Sequence, residues 1–306
     1  MTFTDCFETH SALLMEGALG ERLKREYRLK IDGSVGMAGL VYTASGRHAL
    51  KTLWKGYAGI ARDFLLPFLA TTPTRRVNRE RLAVSRYSAS ILQDNMEFLC
   101  AIQQQQAHMY IGCLLGCRGD AYTGADCLTL EEARKFHSWE AALATDTDPD
   151  FLYAALMPTL QEAAGMALAF QETKIPYLIS FTILKNGCLV DGTPLSSAIR
   201  IIDELTETPP ICYMTNCVHP EIVYCALSHP FNRTELVRQR FLGIQANTSR
   251  LSYAQLDHSK DLKTSDPEEL AQSMVRLRDL VPLKIFGGCC GTDDTHIRKI
   301  VEKISC

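Results

Sequence analysis

The chain has 306 residues, 46% of them apolar and 22% charged, with a formal net charge of −3. Acidic and basic residues are interspersed, so there is neither a basic stripe for nucleic acid nor a like-charge block that reads as a solvated tail. The start, MTFTDCFETH, lacks the basic-then-apolar pattern of a signal peptide, and no uncharged apolar run approaches the roughly 18 residues that span a bilayer, so a soluble, cytoplasmic protein built on one large core is expected.

In chain order, short apolar runs predict strands over 12–16, 64–71, 110–116, 151–155, 177–182, 211–215, 241–246 and 283–286. Between them lie segments with helix signals. Apolar spacing near 3.6 runs through 79–100 and 160–172, and Thr129-Leu130-Glu131-Glu132 reads as a capping box. Ser265-Asp266-Pro267-Glu268-Glu269 offers a cap, a first-turn proline and acidic residues at a helix start. The glycine-rich stretch 31–46 reads as a loop excursion after the first strand. Eight strands alternating with helices over this length predict an α/β protein, a (β/α)8 TIM barrel forming a single domain over 1–306. The first strand is not followed by Gly-x-Gly-x-x-Gly, which argues against a dinucleotide-binding sheet.

Twelve cysteines in a chain without an export signal point to metal binding, catalysis or packing rather than disulfides. Cys100, Cys127, Cys188, Cys212 and Cys225 fall in apolar segments and read as packing residues. Cys6 and Cys306 are terminal and incidental. Cys113 and Cys117 flank the end of the third strand without the second pair a metal site needs. The remaining three stand in small-residue turns: Cys217 in Thr215-Asn216-Cys217-Val218-His219-Pro220, and Cys289 and Cys290 in Gly287-Gly288-Cys289-Cys290-Gly291-Thr292. Three thiolates would hold a zinc ion with one position open, the pattern of a catalytic rather than a structural site. A substrate thiol in that position would be kept as a nucleophilic thiolate at neutral pH, which points to alkyl transfer to sulfur. Cys217 is placed after the sixth strand and the pair after the eighth, both at the carboxyl face where barrels put their chemistry. Neighbouring side chains in a regular strand point apart, so the flanking glycines must bend the backbone to bring Cys289 and Cys290 to one ion.

With these motifs in place, the sequence resembles the homocysteine S-methyltransferase family, over about residues 13–300. The resemblance is most specific in Asn216-Cys217-Val218-His219-Pro220 and Gly287-Gly288-Cys289-Cys290-Gly291-Thr292. Supporting segments are Glu16-Gly17-Ala18-Leu19-Gly20, Thr72-Pro73-Thr74-Arg75-Arg76-Val77-Asn78, Gly119-Asp120-Ala121-Tyr122, Ser180-Phe181-Thr182 and Asn247. It implies a barrel with Zn2+ held by Cys217, Cys289 and Cys290, and a homocysteine thiol that attacks the methyl group of an activated donor to give methionine. S-methylmethionine or S-adenosylmethionine is the expected donor, with delivery by a separate corrinoid protein as the alternative. Glu16, Gly17, Ala18, Asp120, Ser180, Thr182, Asn216 and Asn247 are the expected substrate-binding residues. A monomer and a homo-oligomer are both compatible with the sequence.

Two departures stand out. The family's first-strand Asp is Glu16 here, which keeps a carboxylate on a longer arm. The family's Glu-Thr-x-Pro after the fourth strand is Ala155-Leu156-Met157-Pro158, so the carboxylate expected near the homocysteine amino group is absent. Loss of such a charged partner is worth roughly 1.5–3 kcal/mol, which predicts weaker homocysteine binding or a different thiol acceptor. Asp148-Pro149-Asp150, just upstream, is also altered from the family pattern. A zinc-binding barrel without catalysis is the competing reading from another class. Arg75 and Arg76 either meet an anionic donor or are solvated, and His219 reads as loop structure rather than a metal ligand.

Overall fold

A computed structural model of the protein describes residues 1–251 and 264–305, which leaves Cys306 outside the described residues. The strands are β1 (Leu13–Met15), β2 (Phe68–Thr71), β3 (Met109–Gly116), β4 (Phe151–Met157), β5 (Tyr177–Phe181), β6 (Cys212–Val218), β7 (Phe241–Ala246) and β8 (Ile285–Gly288). They follow one another around a closed parallel barrel, sealed where Leu13 pairs with Ile285. The strands are buried along nearly their whole length, which is why they read as continuous apolar runs rather than alternating ones. The expected (β/α)8 barrel is the fold observed.

Two cores hold it. The outer one lies between the barrel and its helices; the inner one fills the barrel with residues such as Leu13, Met15, Leu69, Leu178 and Met214. An amino-terminal helix, Phe3–Thr9, closes the bottom of the inner core, with Phe3 stacked on Phe151 at 4.5 Å between ring centroids. Among the described residues no helix is long and apolar enough to cross a membrane.

Local signals are honoured where the caps were strong. The helix Leu130–Thr145 starts on the Thr129/Glu132 capping box, and Asp266 caps Pro267–Arg276 through the Glu268 and Glu269 N–H groups. Segment 79–100 instead forms two helices, Arg79–Ala83 and Ile91–Gln103. The Ser85 hydroxyl takes the Leu82 carbonyl at 3.0 Å, competing with the helical ladder at the break. The second strand starts at Phe68 rather than 64, because helix Ala44–Asp63 runs almost to that point and Leu65 turns left-handed at φ 57°. The glycine-rich 31–46 excursion carries a 3-10 turn, Met37–Tyr42.

A buried ionic cluster fastens two helices outside the barrel. His137, on Leu130–Thr145, bonds Glu140 at 2.8 Å and Glu162 of helix Leu160–Gln171 at 3.2 Å. Burial opposes charge on the imidazole, but the two carboxylates prevail and raise it to about 9. Glu162 also accepts the Arg118 N–H at 2.6 Å, tying in the loop after β3.

Candidate metal centre and active site

Cys217 lies inside β6, one residue before the strand ends, and not beyond it. Asn216 pairs with Gln245 and Val218 with Ala246, so Cys217 is the extra residue of a bulge. Its φ is +62°, a left-handed conformation that costs an L-residue roughly 1–2 kcal/mol. A bulge of this kind re-aims a side chain that regular alternation would misdirect.

Cys289 and Cys290 follow β8 in a tight turn. The Thr292 hydroxyl donates to the Cys289 carbonyl at 2.7 Å and accepts the Ala18 N–H at 3.0 Å. Two glycines permit the turn. A Cβ on Gly288 would stand 2.3 Å from Thr292 Oγ1, and Gly291 takes φ +85°.

These two irregular segments bring the three sulfurs together. All lie within 4.8 Å of one another, with the Sγ atoms of Cys217 and Cys290 at 3.5 Å. Cys217 is buried and the other two half-buried. Hydrogen bonding among the three sulfurs holds Cys217 well below the usual thiol range and, with the Cys217 charge, raises Cys289 and Cys290. Zinc–sulfur bonds of about 2.3 Å in a tetrahedron require sulfurs about 3.8 Å apart, so the triad fits the ion with slight adjustment. Three soft ligands leave one coordination position for a substrate. Asn247 Nδ2 donates towards Cys217 Sγ at 3.6 Å and its carbonyl at 3.5 Å, supporting the triad from behind. Among the described residues no other group of three Cys, His, Asp or Glu side chains is arranged to hold a metal. His219 takes no part; its Nδ1 accepts the Glu221 N–H and caps helix Pro220–Ser228.

The triad forms the floor of a cavity of about 320 Å³ at the carboxyl face, which Glu16, Gly17, Ala18 and Asn216 also line. The other expected substrate residues sit elsewhere. Ser180 lies one layer below, donating to Asn216 Oδ1 at 2.6 Å. Thr182 is buried, with its N–H on the Met157 carbonyl at 2.9 Å. Asn247 backs Cys217. Asp120 stands on an exposed turn, accepting the Tyr122 and Thr123 N–H groups at 2.8 and 2.7 Å, outside the lining. Tyr122, from the same turn, does reach the cavity and acts as a hydrogen-bond neighbour of Cys217.

Glu16 is fully buried, and both of its oxygens face Thr71. Oε2 accepts the Thr71 N–H at 2.9 Å and Oε1 its hydroxyl. Burial outweighs these bonds and pushes the carboxyl up to about 8. Ala155 and Leu156 line the cavity wall where β4 carries a bulge, with Leu156 at φ +57°. Tyr153, two residues back, also lines it and donates to Gln245 Oε1 at 2.9 Å. The i, i+2 spacing of Tyr153 and Ala155 was the available sequence signal for this wall.

A (β/α)8 barrel whose carboxyl face carries three cysteines arranged so that they could hold a metal ion, at the floor of a small cavity, is thus what fold and site define. The sequence pattern of the homocysteine S-methyltransferase family matches residues 13–304, and the chain belongs to that family. It is similar to Homocysteine S-methyltransferase 2 of Arabidopsis thaliana, at 22% identity over 190 residues. That match covers 61% of this chain and spans about half, 55%, of the curated relative. In fold it resembles the metallated form of the homocysteine methyltransferase MmuM from Escherichia coli, with a TM-score of 0.76 at 16% identity over 98% of each chain. The oxidised form of MmuM gives the same TM-score at 17% identity over 97% of each.

Proposed function

We propose that this protein is a zinc-dependent S-methyltransferase that transfers a methyl group from a small activated donor to the thiol of homocysteine, giving methionine. The observation that carries this reading is the convergence of three cysteine sulfurs within 4.8 Å at the floor of a cavity, in a chain of this family. S-methylmethionine and S-adenosylmethionine are the donors of choice, since each offers a methyl group on a sulfonium.

Cys217, Cys289 and Cys290 would hold the ion. Zinc bound there supplies the Lewis acidity that keeps an incoming thiol deprotonated at neutral pH. The Thr292 hydroxyl fixes the Cys289 carbonyl and Asn247 supports Cys217, so the triad is held ready rather than assembled on binding. Tyr153, Leu114 and Leu156 give the cavity a largely apolar wall that limits water around the reacting sulfur. The transfer is a displacement: the acceptor S–C bond forms while the donor S–C bond breaks, and the bonding pair leaves on the donor sulfur as a neutral thioether. The acceptor's thiol proton passes to solvent. Holding the methyl carbon in line with the attacking sulfur supplies much of the rate.

The test is turnover of homocysteine by zinc-loaded protein with each sulfonium donor, following methionine by mass spectrometry. Methionine formed by the native chain and not by Cys290→Ala supports the reading. Stoichiometric zinc with no methylated thiol from any donor, a corrinoid protein included, would leave a non-catalytic zinc-binding barrel. A second reading, the same transfer to another thiol, is favoured by Ala155, which puts a methyl group where the family places a carboxylate.

A further inference from the structure

Two arginines bordering the cavity have no counter-ion among the described residues. Arg75 and Arg76 follow β2 and both line the cavity. Among the described residues neither side chain makes a hydrogen bond or ion pair, whereas Arg22, Arg118, Arg134 and Arg240 are all ion-paired. Arg76 is held in place, because its stem packs over Gly36, whose absent Cβ would lie 3.4 Å from Cδ. Arg76 is exposed at the cavity rim and Arg75 half-buried, and partial desolvation with the charges of Arg81 and Arg75 disfavours the Arg76 proton. Arg75 lies close against Gly116 at the end of β3, where a Cβ would stand 2.6 Å from the Arg75 carbonyl oxygen. Arg75, Tyr122 and the three cysteines line the same cavity. Asp120 feels Arg75 but is not within ion-pair distance, and its Oδ1 is occupied by its own turn.

Among the described residues that line the same space, no carboxylate is left free to meet a cation. Ala155 supplies none, the Glu16 oxygens are turned onto Thr71, and Glu21 is taken by Lys24 at 3.4 Å and Arg25 at 3.1 Å. Among the described lining residues an ammonium group entering the cavity therefore meets no free carboxylate, while a carboxylate meets two arginines, whose planar guanidinium groups suit bidentate pairing.

We propose that this site selects its acceptor by a carboxylate held at Arg75 and Arg76, and that the acceptor class is a short carboxylate-bearing thiol for which an α-ammonium group is dispensable. This rests on the methyl-transfer reading above. Three thiols of equal reach separate the terms: homocysteine, 4-mercaptobutanoate, which lacks the amino group, and 3-aminopropane-1-thiol, which lacks the carboxylate. With zinc-loaded protein and one sulfonium donor, 4-mercaptobutanoate should match or exceed homocysteine in kcat/KM. Aminopropanethiol should fall roughly 30–100-fold below both, the worth of a charged hydrogen-bonded pair. Arg76→Ala should narrow that gap by about tenfold, and Ala155→Glu should turn the preference towards homocysteine. Calorimetry with the thioethers methionine and 4-(methylthio)butanoate gives the same ranking without turnover, the second binding at least as tightly. A homocysteine advantage above about tenfold, an Arg76→Ala loss equal for all three thiols, or binding of neither thioether would overturn the proposal. If no thiol is methylated but the thioether ranking holds, the catalytic reading fails and the selectivity stands.

Discussion

Asn216 Oδ1 accepts the Leu156 backbone N–H at 3.2 Å, fastening the bulge of β4 to the bulge of β6 that presents Cys217. The same oxygen takes the Ser180 hydroxyl at 2.6 Å, so one amide spans three consecutive strands beneath the cavity. Asn216→Ala strands two buried donors, each worth about 1–3 kcal/mol. Its melting temperature should fall, and zinc affinity measured by chelator competition should drop about 10–100-fold, as for other supports of metal ligands. Asn216→Asp keeps the acceptor and should recover most of the stability.

The triad predicts an all-or-none response to loss of any sulfur. Cys217→Ala, Cys289→Ala and Cys290→Ala should each turn stoichiometric zinc into a weak, readily chelated population, measured by elemental analysis after dialysis. A variant that keeps tight stoichiometric zinc would remove that cysteine from the ligand set.

Gly288 is the tightest backbone position of the site. A methyl group there would meet Thr292 Oγ1 at 2.3 Å, so Gly288→Ala must shift the Cys289–Thr292 turn. A loss of roughly 1–3 kcal/mol is expected from such overpacking, together with weakened metal binding. Gly33→Ala, where nothing approaches within 4 Å, should stay within about 0.5 kcal/mol. Parallel denaturant titrations of the two variants make the comparison.

The His137 cluster predicts a pH signature in stability. Its proton is held to about pH 9 in the folded chain but only to about 6.5 in the unfolded one. The contribution is therefore complete below about pH 6.5 and lost as pH rises through about 9, at most about 3 kcal/mol by linkage. Unfolding by urea at pH 6 and pH 9.5 should show the native chain losing more stability than His137→Gln across that window. Equal losses in the two proteins would place the titration elsewhere.

The strand order and the three sulfurs were legible in the sequence, because buried strands leave continuous apolar runs and the Cys289–Cys290 pair sits among glycines. The means by which Cys217 joins them was not. Its bulge depends on a register shift against β7, a property of two strands that no single segment encodes. Asp120 and Tyr122 illustrate the same limit. Both fall in one turn after β3, yet the aspartate spends its oxygen on that turn while the tyrosine reaches the triad. The wall at Ala155 was visible as a departure from the family, but the Thr71 pairing of Glu16 needed the β1–β2 contact to appear.

The Thr292 hydroxyl bonds the Ala18 N–H, a partner 274 residues away in sequence. Two of the three sulfurs belong to the turn it fastens, and that turn exists only once β8 has closed against β1. A growing or truncated chain that has completed seven strands presents Cys217 alone and cannot capture the ion tightly. If the triad holds zinc as proposed, metal uptake would report completed barrel closure, and metal retention would double as a readout of folding to the last strand.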